Sequence, residues 1–274
     1  MPTSKQFTFF ILMRTVFITS ALIIFLTSAK AAGVIVLEGN YQGKNLYIQN
    51  PFAGSSVGFC VFEVRINDRV TSDETNSSAF EIDFSAFQLA IGAPVEVKIL
   101  HKGDCKPKVL NPEVLKSKST FETVNINIEP NGILKWATKG ETGKLPFVIE
   151  QFRWNKWVNI GEVDGQGTSG ENNYSFKIKP HSGENQLRVK QVDYTGKPRY
   201  SPAAKFKSTL PEVTFSPIKV AKEIIFTGET MFEIYDHYGN IVKKGFAPKI
   251  DVSNLSKGIY YINYDSKMDQ FVKK

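Results

Sequence analysis

Short runs in which apolar and polar residues alternate recur along almost the whole chain, and no long segment shows the 3.6-residue apolar period of a helix. Phe80, Ile82 and Phe84, for example, alternate with acidic residues, as in a strand that buries one face. Turn residues such as those at 67–68 separate the runs. The pattern predicts an all-β protein built from tandem antiparallel β-sandwiches of the immunoglobulin or fibronectin III type.

The first 31 residues have the composition of a Sec signal peptide. Lys5 and Arg14 precede an apolar run over residues 16–26, and small residues follow that run. Ala29 and Ala31 lie in the small-x-small pattern of a cleavage site, so we predict a cut after Ala31, with a cut after Ala32 as a close alternative. Arg14 interrupts the apolar stretch, which argues against a membrane-spanning helix of about 20 residues. An uncleaved N-terminal anchor is the alternative.

Cleavage would leave about 243 residues, enough for two or three domains. We place β-sandwiches at residues 32–118, 119–208 and 209–274, the third being the smallest. The stretch 108–120 contains a proline and a Lys/Ser run, and we interpret it as a linker between the first two.

Net charge is a weak guide to partners. The formal charge of +7 would fall to about +4 after cleavage, and the lysines are dispersed along the chain. We interpret them mainly as solvating charges. The absence of a basic stripe with interleaved aromatic residues argues against nucleic-acid binding, while a preference for acidic polysaccharide or lipopolysaccharide stays open.

Cys60 and Cys105 are the only cysteines, and both fall in the first predicted sandwich. An even cysteine count in an exported protein predicts a disulfide. Zinc would need four ligands, and only His101 lies nearby in sequence. A redox pair would usually have the C-x-x-C spacing. Two free thiols are the remaining alternative.

The sequence argues against an enzyme. It contains no nucleophile elbow, H-E-x-x-H helix or P-loop, and its three histidines lie far apart in sequence. We therefore predict no catalytic residues, no metal and no cofactor. A small hydrolase remains a distant alternative, because glycosidase carboxylates leave no motif in a sandwich. Trp154 is the best candidate for an exposed, sugar-stacking ring, and Glu150 and Arg153 are interpreted as strand-edge charges.

The middle third of the chain has a distinctive order of motifs. They are LKWAT (134–138), FVIEQ (147–151), WVNIGEV (157–163), NYSF (173–176), RVKQVDYTG (188–196) and YSP (200–202). This order is similar to the fibronectin III-like spacer common in cargo of the type IX secretion system. Trp136 would then belong to the sandwich core.

The last 64 residues carry a second resemblance. The sequence FEIYDHYGN (232–240) is followed by DVSNL (251–255), GIYY (258–261) and a Lys-Lys terminus. This pattern resembles the type A C-terminal sorting domain of the type IX system, an address that is read at the outer membrane. The resemblance implies recognition residues at Gly239, Asp251, Leu255, Gly258, Tyr260, Lys273 and Lys274.

That resemblance also implies partners and a destination. The tail would be recognised in the periplasm by an outer-membrane shuttle and passed through the translocon to the cell surface or extracellular space. A sortase-like peptidase would cut near residues 208–214 and could attach the protein to lipopolysaccharide. No transmembrane helix is expected in the mature chain.

Two non-enzymatic functions fit these features. The protein could be an accessory or signalling component of the secretion system, similar to PorA. It could instead be a surface binding protein, such as an adhesin or a carbohydrate-binding module. The ligand of the first sandwich and the oligomeric state are not encoded in any motif that we recognise.

Overall fold

The computed structural model describes residues 32–54 and 57–274, and these residues form mostly antiparallel sheets joined by turns and short 3₁₀ helices. The predicted signal peptide, with Ala29 and Ala31, lies outside the described residues. Within the described ranges, no helix has the length and apolar character needed to span a bilayer. The all-β prediction is confirmed.

The N-terminal sandwich consists of two sheets, ordered β1-β6-β3-β4 and β5-β2-β7. Its alternating strands turn their apolar residues inward, so that Leu46, Ile82 and Val97 are fully buried between the sheets. Short 3₁₀ helices span Ser85–Phe87 and Pro112–Leu115. The strands are β1 (Gly33–Asn40), β2 (Leu46–Gln49), β3 (Val61–Ile66), β4 (Arg69–Val70), β5 (Ala79–Ile82), β6 (Pro94–His101) and β7 (Lys108–Val109).

Cys60 and Cys105 form a disulfide with their Cα atoms 5.8 Å apart. Cys60 directly precedes β3 and Cys105 follows β6, and these two strands are paired neighbours. The predicted disulfide is therefore confirmed. It closes a loop with a sequence separation of 45, which stabilises the fold by about 4 kcal/mol in the chain-entropy model.

The predicted linker at 108–120 is only partly a linker. Lys108 and Val109 pair with β2, and Leu115 is 2% exposed in the core of the N-terminal sandwich. The carbonyl oxygen of Leu115 also lies so close to Gly39 that a Cβ there would be 2.3 Å away. The apolar residues of the stretch 108–115 thus pack it against β1 and β2. The Lys/Ser run at 116–119 connects the N-terminal sandwich to the central sandwich.

The central sandwich packs a five-stranded sheet, β11-β10-β13-β14 with β15 beside β13, against a three-stranded sheet, β12-β9-β8. Trp136 is 1% exposed and stacks on Tyr174 with ring centroids 5.1 Å apart. Both rings contact Phe147, so this aromatic trio forms the centre of the core, as predicted for Trp136. The strands are β8 (Glu122–Ile128), β9 (Ile133–Lys139), β10 (Phe147–Arg153), β11 (Lys156–Val163), β12 (Asn172–Lys177), β13 (Gly183–Val192), β14 (Pro198–Tyr200) and β15 (Ala204–Ser208).

The C-terminal sandwich is one six-stranded sheet that folds over its own core. Strand β18 pairs with β19 on one side and with β16 and β20 on the other, and its register shifts between Ile225 and Thr230. Ile224 and Ile234, from either side of that shift, share the same core. Strand β17 closes the edge by pairing parallel to β21. The strands are β16 (Phe215–Ser216), β17 (Lys219–Val220), β18 (Glu223–Tyr235), β19 (Ile241–Asp251), β20 (Gly258–Tyr264) and β21 (Lys267–Lys273).

Candidate functional site

The turn between β18 and β19 contains Gly239, the first of the residues proposed for recognition. Asp236 Oδ1 accepts hydrogen bonds of 2.9 Å from the main-chain N–H groups of Tyr238 and Asn240. Gly239 has φ +85°, and a Cβ placed on it would meet nothing within 4 Å. Its backbone conformation, rather than lack of space, therefore favours glycine at this position.

The segment after β19 is organised by Asp251. Its Oδ1 atom accepts a 2.8 Å hydrogen bond from the Ser253 N–H group, and hydrogen bonding by the Ser253 side chain together with this N–H group lowers the pKa of the Asp251 carboxyl. Leu255 donates its N–H to the Val252 carbonyl at 3.1 Å, and its side chain packs against the C-terminal core. Asp251 and Leu255 thus shape the chain before β20 begins at Gly258.

The chain terminus lies beside the start of β20. Gly258 pairs with Lys273, and Tyr260 pairs with Phe271 with the two rings stacked 5.5 Å apart. Lys273 is 7% exposed and its Nζ atom donates to the Lys274 carbonyl at 2.9 Å, whereas the Lys274 side chain faces solvent. Of the two terminal lysines, Lys274 is therefore the one whose side chain a partner could reach.

These residues gather at one end of the C-terminal sandwich. Strand register places Tyr235 opposite Tyr261, so the turn after β18 lies at the edge where β20 begins and β21 ends. We call this region the distal end and define it as residues 236–240, 251–260 and 271–274. The turn between β20 and β21, which contains Asp265, lies at the opposite end of the same strands.

Asp265 connects the C-terminal sandwich to the central one. Its main-chain oxygen accepts hydrogen bonds from Trp154 Nε1 at 3.1 Å and from Arg153 Nη1 at 3.3 Å. Its carboxylate accepts from both the N–H group (2.9 Å) and the hydroxyl of Ser182, and from the Val213 N–H group at 3.3 Å. We call this cluster the Asp265 joint.

The charges of the Asp265 joint are buried, since Asp265 is 2% and Arg153 3% exposed. Burial lowers the pKa of Arg153 to about 10, although the Asp265 carboxylate acts in the opposite direction. Burial alone would raise the pKa of Asp265, but hydrogen bonds from Ser182 and Val213 outweigh it and lower that pKa. The joint therefore contains an ionised carboxylate that is stabilised by donors from two parts of the chain.

The structure corrects the interpretation of Trp154, Arg153 and Glu150. Trp154 and Asn155 are themselves the two left-handed residues of the β10–β11 turn, with φ +51° and +59°. This geometry turns the indole inward, so Trp154 is 7% exposed and cannot present a sugar-stacking face. Arg153 reaches Asp265 instead of solvent. Glu150 is 5% exposed and pairs with Arg188 and Lys190 at 2.7 and 2.8 Å.

A second group of contacts extends the interface. Lys156 Nζ lies 2.7 Å from both Glu233 Oε2 and the Tyr235 hydroxyl. Burial would lower the pKa of Lys156, but these hydrogen bonds raise it. Lys179 Nζ lies 3.6 Å from the centroid of the Phe246 ring. Strands β18 and β19 are thereby attached to the central sandwich by their broad face as well as by the Asp265 joint.

A groove with a volume of about 1080 Å³ lies at the other junction, between the N-terminal and central sandwiches. One wall is the apolar stretch 90–95, and the opposite wall is formed by Lys144 and residues 166–169. Among residues 32–54 and 57–274, no group of three or more His, Cys, Asp or Glu side chains is placed to hold a metal ion. The groove offers apolar surface and hydrogen-bonding groups.

Residues 216–274 match the family model for the secretion system C-terminal sorting domain. The matched segment coincides with strands β17–β21 and part of β16. The C-terminal sandwich is a type IX sorting domain. The protein is accordingly exported by the type IX secretion system to the cell surface or extracellular space.

Solved structures give more distant similarities. A BSP domain of a biofilm associated protein is 10% identical with a TM-score of 0.23, over 88% of this chain and 63% of that one. The chicken CNTN1 FN1–FN3 domains are 11% identical with a TM-score of 0.26, over 88% and 98%. Dimeric latent PorU from Porphyromonas gingivalis is 12% identical with a TM-score of 0.24, over 89% and 29%.

These TM-scores indicate only a distant likeness of fold. The chain spans less than two thirds of the biofilm and PorU structures. No curated protein matches the sequence at a significant level.

Proposed function

We propose that the protein is a non-enzymatic surface binding protein, in which the sorting domain delivers the two preceding sandwiches to the outside of the cell. The match of residues 216–274 to the sorting-domain family carries this proposal. The three sandwiches form successive units along the chain, with suggested boundaries near residues 118 and 208. The sorting domain occupies the C-terminal position, and the N-terminal sandwich is the unit farthest from it in sequence.

The distal end of the sorting domain is the surface that we propose for recognition by the secretion machinery. It presents the exposed Lys274 side chain and the turn around Gly239, while the opposite end is occupied by the Asp265 joint. A shuttle that bound this end would not have to compete with the central sandwich. Cleavage within 208–214 by a sortase-like peptidase and attachment to lipopolysaccharide are further parts of the proposal.

For the exported part, the groove between the N-terminal and central sandwiches supports a binding role. Its apolar wall at 90–95 and its polar wall at 166–169 resemble the mixed lining of ordinary ligand sites. Trp154 is buried and this groove has no aromatic platform, so we favour a peptide or protein ligand over a stacked sugar. The second candidate is a role as an accessory or signalling component of the secretion system. No feature of the described residues favours that role.

Surface protease shaving of intact cells tests the export signal. We expect the full-length protein to be cleaved from outside and a chain lacking residues 209–274 to stay protected in the periplasm. Equal exposure of the two proteins would contradict the proposal. Because the deletion uncovers Trp154 and Arg153, folding of the truncated protein should be checked by circular dichroism.

A charge reversal at the distal end gives a milder test. Lys274→Glu should reduce the surface-exposed fraction, whereas Lys207→Glu, at an exposed position in the central sandwich, should not. An equal loss for both variants would contradict recognition at the distal end.

Deletion of the whole gene separates the two candidate functions. Loss of a surface binding protein should leave the export of other cargo intact, whereas loss of a component of the secretion machinery should not.

A further inference from the structure

Segment 209–214 connects the central sandwich to the sorting domain and contains no regular secondary structure. Residues 209–212 are exposed, and the Leu210 side chain is 51% exposed. A peptidase could therefore contact this stretch from solvent. Exposure alone does not make a peptide bond cleavable, because the chain must also leave its fixed conformation to enter an active site.

Both ends of the exposed stretch are fixed. On the N-terminal side, Ser208 is 7% exposed, and its hydroxyl accepts a 3.1 Å hydrogen bond from the Leu210 N–H group. On the C-terminal side, Val213 donates to Asp265 Oδ2 at 3.3 Å, and Glu212 pairs with Lys267 at 2.8 Å. Only four exposed residues therefore lie between two anchored points, and Pro211 removes further freedom.

The C-terminal anchor belongs to the Asp265 joint. The carboxylate that holds Val213 also accepts two hydrogen bonds from Ser182, in the central sandwich. Separation of the two sandwiches at this point breaks the Ser182 bonds and, through the same side chain, loosens the hold on the segment. Docking of the sorting domain and immobilisation of residues 209–214 are thus coupled through one residue.

We propose that the Asp265 joint keeps segment 209–214, where the proposed function places cleavage, closed to proteolysis until the sorting domain undocks from the central sandwich. The inference rests on the proposed function for the event that opens the joint, since binding of the secretion machinery to the sorting domain would supply it. The closed joint would protect the tail from removal in the periplasm. Cleavage would follow only after the tail had been engaged.

Limited digestion of the purified full chain with subtilisin tests whether the Asp265 joint keeps segment 209–214 closed to proteolysis. Asp265→Gly removes the carboxylate while keeping the left-handed backbone that Asp265 adopts at φ +46°. We expect the variant to be cut within residues 209–214 at least about tenfold faster than the wild type, because three hydrogen bonds to a buried charge are lost. Mass spectrometry of the fragments locates the cut.

A matched control distinguishes opening of the joint from loss of stability. Phe271 is fully buried in the sorting-domain core and stacks on Tyr260, at the end of the domain away from the joint. Phe271→Leu should lower the melting temperature of the domain without accelerating cleavage at 209–214. An equal acceleration by both variants, or no acceleration by Asp265→Gly, would overturn the proposal.

A second variant covers the case in which Asp265→Gly unfolds the domain. Asp265→Asn keeps the side-chain shape and one acceptor but loses the charge, so its cleavage rate should fall between those of the wild type and Asp265→Gly. Cuts confined to 209–214 support closure by the Asp265 joint, and cuts spread through residues 216–274 contradict it. In cells, a tail that is retained in every variant would contradict the proposed removal of the tail. The digestion of purified protein would still decide whether the Asp265 joint keeps segment 209–214 closed.

Discussion

The two junctions between the sandwiches of this molecule are held by different kinds of contact. Between the N-terminal and central sandwiches, backbones approach closely at glycines, and a Cβ on Gly92 would lie 2.7 Å from the Gly167 carbonyl oxygen. Gln42 Nε2 adds a hydrogen bond of 2.5 Å to the Thr142 carbonyl. Between the central sandwich and the sorting domain, the contacts are mainly hydrogen bonds and charge interactions around Asp265, Arg153 and Lys156. The first junction depends on shape and the second on ionisation state and hydrogen-bond partners.

This difference suggests a division of roles. Where the backbones pack directly against each other at Gly92 and Gly167, no side chain can rearrange, so the first junction is expected to hold the groove in a fixed form. A buried network loses its stability when a single partner is removed or displaced, which makes the Asp265 joint suitable for controlled opening. A sorting domain that separates from its cargo, as proposed above, would benefit from the second kind of junction.

The largest effect is expected from a methyl group at the first junction. Gly92 and Gly196 both have positive φ, +87° and +75°, but only Gly92 has close neighbours, and Gly196 has none within 4 Å. Gly196→Ala should therefore cost only the backbone strain, about 1 kcal/mol. Gly92→Ala should cost roughly 3 kcal/mol, because it adds overpacking against backbone that cannot move. Urea unfolding of the two variants measures the difference, and equal losses would contradict a shape-dependent junction.

The second junction should respond to the loss of one donor. Trp154→Phe keeps an aromatic ring and removes the Nε1–H group that donates to the Asp265 carbonyl. We expect a loss of about 1 kcal/mol, since Arg153 still donates to the same oxygen. Trp157→Phe is the control, because Trp157 contacts Phe152 and Arg188 instead of the sorting domain. A larger loss for the control would show that indole size, and not the hydrogen bond, matters.

The periphery of the second junction should contribute least among the point variants. The Lys156 side chain is 42% exposed, so its pairing with Glu233 is weakened by solvent and salt. Lys156→Met should cost about 0.5 kcal/mol at low ionic strength and less at 1 M salt. Unfolding at both salt concentrations checks this expectation. A loss that is independent of salt would indicate that Lys156 acts through packing of its aliphatic stem.

Much of the fold could be predicted from the sequence, because apolar alternation directly reports which strand face is buried. Trp136 was placed in the core by the resemblance of its motif to the fibronectin III-like spacer, and Cys60 with Cys105 followed from the export context. The Asp265 joint left no comparable signal. Trp154 has the same local pattern whether its ring points outward or into a neighbouring sandwich. The only sequence trace of Asp265 is a turn-forming Asp-Ser dipeptide between two strand-like runs.

Proximity between residues 153–154 and 265 depends on how two complete sandwiches dock, which no local pattern specifies. The same limit applied to the linker at 108–120. Its polar composition was visible, but the burial of Leu115 required the neighbouring strand. The recognition residues at the distal end came from family resemblance, and the structure adds that Lys273 is mostly buried while Lys274 is exposed.

The smallest effect that we expect is a dependence of the second junction on mild acid. His181 is 6% exposed, its Nδ1 atom lies 2.7 Å from the Ser182 carbonyl, and burial lowers its pKa from the ordinary value of 6.5. Arg153 lowers the pKa further, while the Asp265 carboxylate partly offsets the shift. Below pH 6.5 the unfolded chain binds a proton that the folded chain resists, so stability must fall as the pH decreases from 7 toward 5. Asp265 does not contribute in this range, because its lowered pKa confines its own loss of stability to pH values below about 4.

The part of this pH dependence of stability that His181 causes can be measured by comparing the melting temperatures of His181→Gln and the wild type at pH 7 and pH 5. The variant should lose the part of the pH dependence that His181 causes, and a distant variant, His237→Gln at the exposed β18–β19 turn, should keep it. An unchanged pH dependence in His181→Gln would mean that the sensitivity arises outside the Asp265 joint. If the dependence disappears, the contrast between the junctions extends to pH, since the contacts of Gly92 with Gly167 and of Gln42 with Thr142 contain no group that titrates between pH 5 and 7.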